Sequence, residues 1–305
     1  MFAHMANTVG EVLRAAKVRL VAAGHAVSDA EELLSRLLGI GRGELRVRSG
    51  TAFPMPQVAA FEAWLARREA GEPVQYITGR AAFRDLDLMV DRRVLVPRPE
   101  TELLVEVVLE HLAAQDWSRR GPRVLDLGTG SGCIALAIAQ EHASAQVTAT
   151  DASEPALELA RANAVALGLA ARVTFARGAW FQAVDPDERY DVVVSNPPYI
   201  AAFEAAELPA DVVDWEPHSA LFAADDGLAD LRDIIDEAPR YLMAGGLLAL
   251  ELAEARAAQV AGWLEGAHDW SAVELREDLA GNPRMLLARR ERGPAIAPAQ
   301  WGEER

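Results

Sequence analysis

The chain of 305 residues contains a single cysteine, Cys133, so an internal disulfide is excluded and a reducing compartment is the natural setting. Its place just after a glycine-rich turn is that of a small residue packed at a helix start rather than of a nucleophile. The six histidines show no ligand-like spacing with one another or with Cys133, and no metal site is expected. No apolar run reaches the length of a secretion signal or a membrane span, and the first helical pattern already carries Glu11, Arg14, Lys17 and Arg19. These absences read as a cytoplasmic protein with no membrane partner.

Basic residues are scarce as well. Thirty Lys and Arg stand against 46 Asp and Glu, a net charge of -16. The deficit is local: residues 1–95 carry +2, whereas residues 96–290 carry -17. Nucleic-acid affinity rests on neutralising phosphates with Lys and Arg, so direct nucleic-acid binding is not expected of the acidic part. Arg42, Arg46 and Arg48 cluster near the N-terminus, where a solvated face accounts for them better than a docking patch.

The length suggests about two domains. Val9, Val12, Leu13, Ala16 and Leu20 recur at helical spacing. Ser28-Asp29-Ala30-Glu31 has the form of a capping box, opening a helix with Leu33, Leu34, Leu37 and Leu38 inward and Gly39 and Gly41 as its stop. A further helix follows Pro56, burying Val58, Phe61, Trp64 and Leu65, and ends at Gly71. Residues 1–75 thus form a small all-helical domain without a cofactor motif. Residues 76–96, with Phe83, Leu86, Leu88 and Val90 partly alternating, read as a β-hairpin-like linker. From residue 97 to 290 strand and helix patterns alternate as a doubly wound α/β sheet requires. The expected strands are Arg123–Leu127, Gln146–Thr150, Arg172–Ala176, Tyr190–Ser195, Gly246–Glu251, Ala272–Glu277 and Pro283–Arg289. The last two form a hairpin across Gly281-Asn282. Residues 291–305, rich in Pro, Ala and Gly, are expected to be a disordered tail.

Three motifs fall at expected strand ends, where open α/β sheets bind ligands. Gly128-Thr129-Gly130-Ser131-Gly132 follows the first strand and permits close backbone approach at a helix N-terminus. Asp151 ends the second, placed to hold the two hydroxyls of a ribose or to cap the helix starting near Ser153 to Pro155. Ser195-Asn196-Pro197-Pro198-Tyr199 ends the fourth. Two prolines fix φ and remove two donors, leaving the Asn196 amide, proline carbonyls and the Tyr199 ring. That set suits a planar group bearing an NH2: Asn196 and the Pro197 carbonyl accept its hydrogens while Pro198 and Tyr199 shape the wall. Spacing alone leaves nicotinamide and adenosyl cofactors open.

Asp126-Leu127-Gly128-Thr129-Gly130-Ser131-Gly132 followed by Asn196-Pro197-Pro198-Tyr199 resembles S-adenosylmethionine-dependent methyltransferases acting on planar amino or amide nitrogens. Val96-Pro97-Arg98-Pro99-Glu100-Thr101-Glu102 is similar to the signature of the HemK family of protein-(glutamine-N5) methyltransferases, in its release-factor branch; the branch acting on a ribosomal protein has Pro-Arg-Ser-Pro there. Gly71-Glu72-Pro73-Val74-Gln75-Tyr76, Trp215-Glu216-Pro217-His218 and Asp278-Leu279-Ala280-Gly281-Asn282-Pro283-Arg284 agree as well. Leu250-Glu251-Leu252-Ala253-Glu254 departs from the family's usual Glu-Ile-Gly-like sequence.

The resemblance implies a seven-stranded, Rossmann-like class I methyltransferase sheet preceded by a helical domain that holds the protein substrate. It implies S-adenosyl-L-methionine as cofactor, with the Gly128–Gly132 loop against the methionine portion, Asp151 on the ribose, Trp180 on the adenine side or in the core, and Asn196 beside the reacting groups. Asn196, Pro197 and Tyr199 are the implied catalytic set. The implied partner is a class 1 peptide chain release factor, methylated on the glutamine of its Gly-Gly-Gln loop. Glu100 and Thr101 support the cofactor mouth or cap a helix after Pro99. Alternatives are a nucleic-acid methyltransferase acting on adenine N6 or cytosine N4, disfavoured by the charge, the ribosomal-protein glutamine methyltransferase branch, disfavoured by Pro97-Arg98-Pro99-Glu100, and a binding module that has lost activity, disfavoured by the intact motifs.

Overall fold

The structure is a computed structural model and describes residues 8–291. The tail expectation and the choice between Met1 and Met5 as start therefore lie outside the described residues, apart from Glu291. The chain resolves into two units, the first of residues 1–81, 90–92 and 207–216, the second of residues 82–89, 93–206 and 217–305.

The first unit opens with helices α1 (Val9–Ala22), α2 (Val27–Leu38), α3 (Arg42–Val47), α4 (Met55–Glu69) and α5 (Val74–Thr78). Val9, Val12, Ala16, Leu20, Leu33, Leu34, Phe61 and Leu65 share one apolar cluster, with Leu13, Leu37, Leu38, Val58 and Trp64 packed at its margin. The expected capping box at Ser28 is not formed. Helix α2 begins two residues earlier, behind Ala26, with no side-chain cap. Glu31, which would close the box, pairs instead with Lys17, and Asp29 beside it accepts from Arg68 Nε at 2.7 Å. The reciprocal box sits at α1, where Thr8 and Glu11 cap each other's backbone. Gly39 does end α2, in the left-handed region at φ 64°.

Arg68 is 7% exposed and is the centre of this unit's polar interior. It also donates to the Gly71 and Glu72 carbonyls and to Asp211, which lies in helix α9 (Ala210–Trp215). Trp215, at the end of α9, carries Arg92 over its ring at 3.9 Å. Arg68→Ala strips two acids and two carbonyls of a buried donor. It is expected to lower stability by about 3 kcal/mol, read as a lower urea midpoint.

Strands β1 (Arg80–Phe83) and β2 (Leu86–Met89) form a two-stranded sheet, and α5 takes up residues 76–78 that the sequence reads as linker. The second unit continues with α6 (Pro99–Ala113), β3 (Arg123–Leu127), α7 (Cys133–Glu141), β4 (Gln146–Asp151), α8 (Glu154–Ala166), β5 (Val173–Arg177) and β6 (Tyr190–Ser195). It resumes after α9 with α10 (His218–Leu221), α11 (Ala224–Gly227), α12 (Ala229–Tyr241), β7 (Leu242–Glu251), α13 (Glu254–Leu264), β8 (Trp270–Glu277) and β9 (Pro283–Arg290).

All seven expected strands are present, within a residue or two except at β7, which starts four residues early because Gly245 and Gly246 are accommodated inside the strand. The sheet order is β5-β4-β3-β6-β7-β9-β8, parallel except for β9, which runs antiparallel to both β7 and β8. One face is covered by α6, α7 and α8, whose Leu104, Val108, Ile134, Ile138 and Ala164 join Val124, Val192 and Val194. The other is covered by α12 and α13, with Leu231, Ile234, Ile235, Val260 and Leu264 against Leu125, Val193 and Leu248. Every residue of β6 is buried, the expected pattern for a central strand covered on both faces. This is the doubly wound α/β architecture the sequence predicts. Strand order reverses between β3 and β6, which opens a crevice at their carboxyl ends.

Candidate active site

Register fixes the site. Leu127 of β3 pairs with Thr150 of β4 and with Ser195 of β6, and Ser195 pairs with Leu250 of β7. The next residue on each of these four strands is Gly128, Asp151, Asn196 or Glu251. One row across the sheet therefore delivers a turn glycine, two carboxylates and an amide to the same edge. Ser195 locks the row by donating from Oγ to the Leu127 carbonyl at 2.7 Å.

A cavity of about 280 Å³ opens there. Gly128, Thr129, Gly130, Ser131, Asp151, Trp180, Asn196 and Pro198 are on its wall. Gly132, Pro197 and Tyr199 are not. Gly132 serves packing instead: at φ 84° it precedes α7, and a Cβ there would come within 3.0 Å of Leu136 Cδ1 and 3.3 Å of Ala160 Cβ. Gly128, at φ 69°, allows the Trp180 ring to lie close; a Cβ would stand 3.3 Å from that ring.

The loop is shaped from below by Asp126, the residue before Leu127 at the end of β3. Fully buried, its Oδ2 accepts from Thr129 Oγ1 at 2.6 Å and from the Ala135 N–H at 3.2 Å. Desolvation pushes its carboxyl up to about 7 against those two hydrogen bonds. Asn163, also buried, donates to the Ser131 carbonyl and joins Met89 through both its amide groups. Asp151 accepts from the Gly130 N–H at 2.9 Å on one oxygen and the Ser153 N–H at 2.8 Å on the other. Desolvation raises its pKa; those two donors oppose the shift. The cap of α8 is Ser153, not Asp151. Each Asp151 oxygen keeps a lone pair for a ligand hydroxyl.

Trp180 has φ +47°, a strained value for a tryptophan, and Thr150 Oγ1 donates to its carbonyl at 3.1 Å. Asp230 of α12 faces the same cavity; desolvation and then Asp233 raise its pKa, while the Trp180 side chain opposes the rise. Cys133 is on the wall too, its thiol pushed up to about 12 by desolvation, which makes it no nucleophile.

The diproline corner is braced from behind. Asn196 donates from Nδ2 to Thr101 Oγ1 at 3.0 Å, Thr101 donates to Glu251 Oε2 at 2.7 Å, and Tyr199 donates its hydroxyl to Glu251 Oε1 at 3.2 Å. Glu251 is 1% exposed, and desolvation pushes its carboxyl up to about 7. Thr101, expected to support the cofactor mouth or to cap a helix, is on the cavity wall; Glu251 has no role in the expectation. The signal was present, since Glu251 ends an apolar strand as Asp151 ends β4.

The cavity fits S-adenosylmethionine by its chemistry. Ser131 Oγ is buried without a partner, the Gly130 position has no neighbour within 4 Å of an added Cβ, and Asp151 offers two free lone pairs. Among the described residues no His, Cys, Asp and Glu cluster stands ready for a metal ion, and no helix is long and apolar enough to cross a membrane.

Residues 11–79 match the family described as PrmC N-terminal domain, and residues 100–211 the methyltransferase small domain. The release factor glutamine methyltransferase of Cereibacter sphaeroides is 43% identical over 281 residues, covering 92% of this chain and 97% of that protein. That of Agrobacterium fabrum is 36% identical over 285 residues, covering 93% and 98%. Among solved structures, the hMettl16 catalytic domain in complex with MAT2A 3′UTR hairpin 1 overlays with a TM-score of 0.54 at 16% identity, covering 80% of this chain and 83% of that one. At that identity the likeness speaks for the fold alone.

Proposed function

The chain belongs to the family of release factor glutamine methyltransferases, and from that premise we propose that its cavity methylates the side-chain amide nitrogen of the glutamine in the Gly-Gly-Gln loop of class 1 release factors. The observation that carries this reading is the position of Asn196, on the wall of the same cavity as the glycine loop and Asp151. Had the amide pointed out of that cavity, the chemistry below would have no acceptor.

S-adenosylmethionine, when bound, supplies an electrophilic methyl group on a sulfonium. Gly128, Gly130 and Ser131 are placed to hold its methionine portion, Asp151 its ribose and Trp180 its adenine side. The harder problem is the nucleophile, because a carboxamide nitrogen shares its lone pair with the carbonyl. The cavity wall offers no strong base: its carboxylates are Asp151, which holds the Gly130 and Ser153 N–H groups, and Asp230, and a carboxylate is far too weak to deprotonate a carboxamide. What the corner supplies is aim. Asn196, on the cavity wall, accepts an amide hydrogen at Oδ1, turning the nitrogen's lone-pair face toward the donor and drawing charge onto it; Pro197, off that wall, is left out of the step. Orientation of this kind is worth about 7–11 kcal/mol of barrier, and one preorganised polar contact about 3–4 kcal/mol. Tyr199, off the wall and with its hydroxyl engaged by Glu251, backs the corner instead of flanking the amide.

The first unit, residues 1–81 with 90–92 and 207–216, is the part we assign to holding the release factor. The cytoplasm is the proposed setting, in keeping with a lone thiol. Coexpression with a release factor and mass spectrometry of the loop peptide is expected to show one added methyl on the glutamine. An unmodified glutamine, with the same chain folded and binding cofactor, would overturn the assignment.

A further inference from the structure

Thr101 has one hydroxyl hydrogen, and the structure commits it. It is directed to Glu251 Oε2 at 2.7 Å, so toward Asn196, 3.0 Å away, Thr101 presents only a lone pair. An amide facing a lone pair must offer its NH2. Asn196 Nδ2 is therefore turned to Thr101, and Oδ1, on the opposite branch of the amide, is left for the cavity. Without this chain of polarity the two orientations of an asparagine amide are nearly isosteric, and in one of them an NH2 meets the substrate's NH2. We propose that Glu251 and Thr101 are positioning residues that set the sense of the Asn196 amide, making it an obligatory acceptor for the substrate carboxamide. This deepens the reading given under Proposed function and rests on it.

Three features make the device specific. Thr101 and Glu251 are 2% and 1% exposed, so water does not compete for their hydrogen bonds. Glu251 also accepts from Tyr199 Oη, and one carboxylate thereby orients both non-proline side chains of the corner. Ionised, Glu251 accepts at both oxygens, whereas an amide in its place would present a donor to one of its two partners. The sequence distance is long, 95 positions from Thr101 to Asn196 and 150 from Thr101 to Glu251, which is why no local motif reveals it.

The test is a double-mutant cycle on the full chain with single-turnover methylation of a release factor as readout. Thr101→Val is nearly isosteric but can neither accept from Asn196 nor donate to Glu251. It is expected to lower the rate by about 10- to 100-fold, the scale of a misaligned reactive group, while KM for the release factor changes by less than about threefold. Thr101→Ser restores the hydroxyl and is expected to stay within about threefold of the parent. Glu251→Gln is expected to fall between the two, since its amide admits both senses of the relay. In the Asn196→Ala background Thr101→Val is expected to have no further effect, because the group it orients is gone. A threonine that mattered only for packing would give the same loss in both backgrounds, and that additivity would overturn the proposal. So would full activity of Thr101→Val in a chain that Asn196→Ala still inactivates. If Asn196→Ala itself is without effect, the assignment of the site fails and not the relay alone.

Discussion

Asn196→Ala is expected to lower the single-turnover methylation rate by about two to three orders of magnitude, the loss typical when one preorganised polar contact is taken from a transition state. The expectation follows from where the amide sits. It follows the last residue of β6, in a corner whose φ angles two prolines restrain, with its NH2 held by buried Thr101. Alanine removes the acceptor without touching Gly128, Gly130 or Asp151, which come from β3 and β4. Affinity for S-adenosylmethionine, measured by calorimetry, is accordingly expected to shift by less than about threefold. The opposite partition, a large loss of cofactor affinity with turnover intact, would move Asn196 into the cofactor's cradle and leave the carboxamide without its acceptor.

Asp151→Ala is expected to act in the opposite sense, weakening S-adenosylmethionine about 100-fold, or about 2.7 kcal/mol, with turnover at saturating cofactor kept within about tenfold. Two losses combine. Ligand hydroxyls lose a charged acceptor, and the Gly130 and Ser153 N–H groups, now held at 2.9 and 2.8 Å, are left unpaired in a half-buried turn. Asp151→Asn is expected to be nearly as damaging. Each carboxylate oxygen faces a different backbone donor, so the NH2 of an asparagine confronts an N–H whichever way it turns. Equal affinity for cofactor in all three chains would rule out Asp151 as the ribose ligand.

What could be read from the sequence and what could not divides along a physical line. The sheet was legible because a strand covered on both faces, such as Tyr190–Ser195, must be apolar throughout, and because the glycine turn and the diproline corner carry unusual backbone chemistry. Strand ends were legible to a residue or two. The capping box at Ser28 misled because Glu31, its closing member, is held by Lys17, and no local pattern encodes a partner 14 positions away. The link between Thr101 and Glu251 was missed for the same reason: a serviceable reading of each existed nearby, Thr101 as a cofactor-mouth or helix-start residue and Glu251 as a strand end. Only the register of β3, β4, β6 and β7 shows that Gly128, Asp151, Asn196 and Glu251 occupy equivalent positions. Aligning the ends of the expected strands by their apolar runs would have exposed Glu251 as the fourth member of that row.

Arg68 has a consequence for how the chain acquires its shape. Asp211, one of its two acidic partners, is 143 positions further along, and Trp215 and Arg92 are likewise separated by most of the central sheet. During synthesis the five N-terminal helices emerge long before the acid that completes their polar interior, so a nascent chain cut off before residue 207 holds a guanidinium short of one counter-charge. Proteolysis or truncation that treats the first eighty residues as a detachable module would for that reason release a fragment less stable than the same helices in the finished chain.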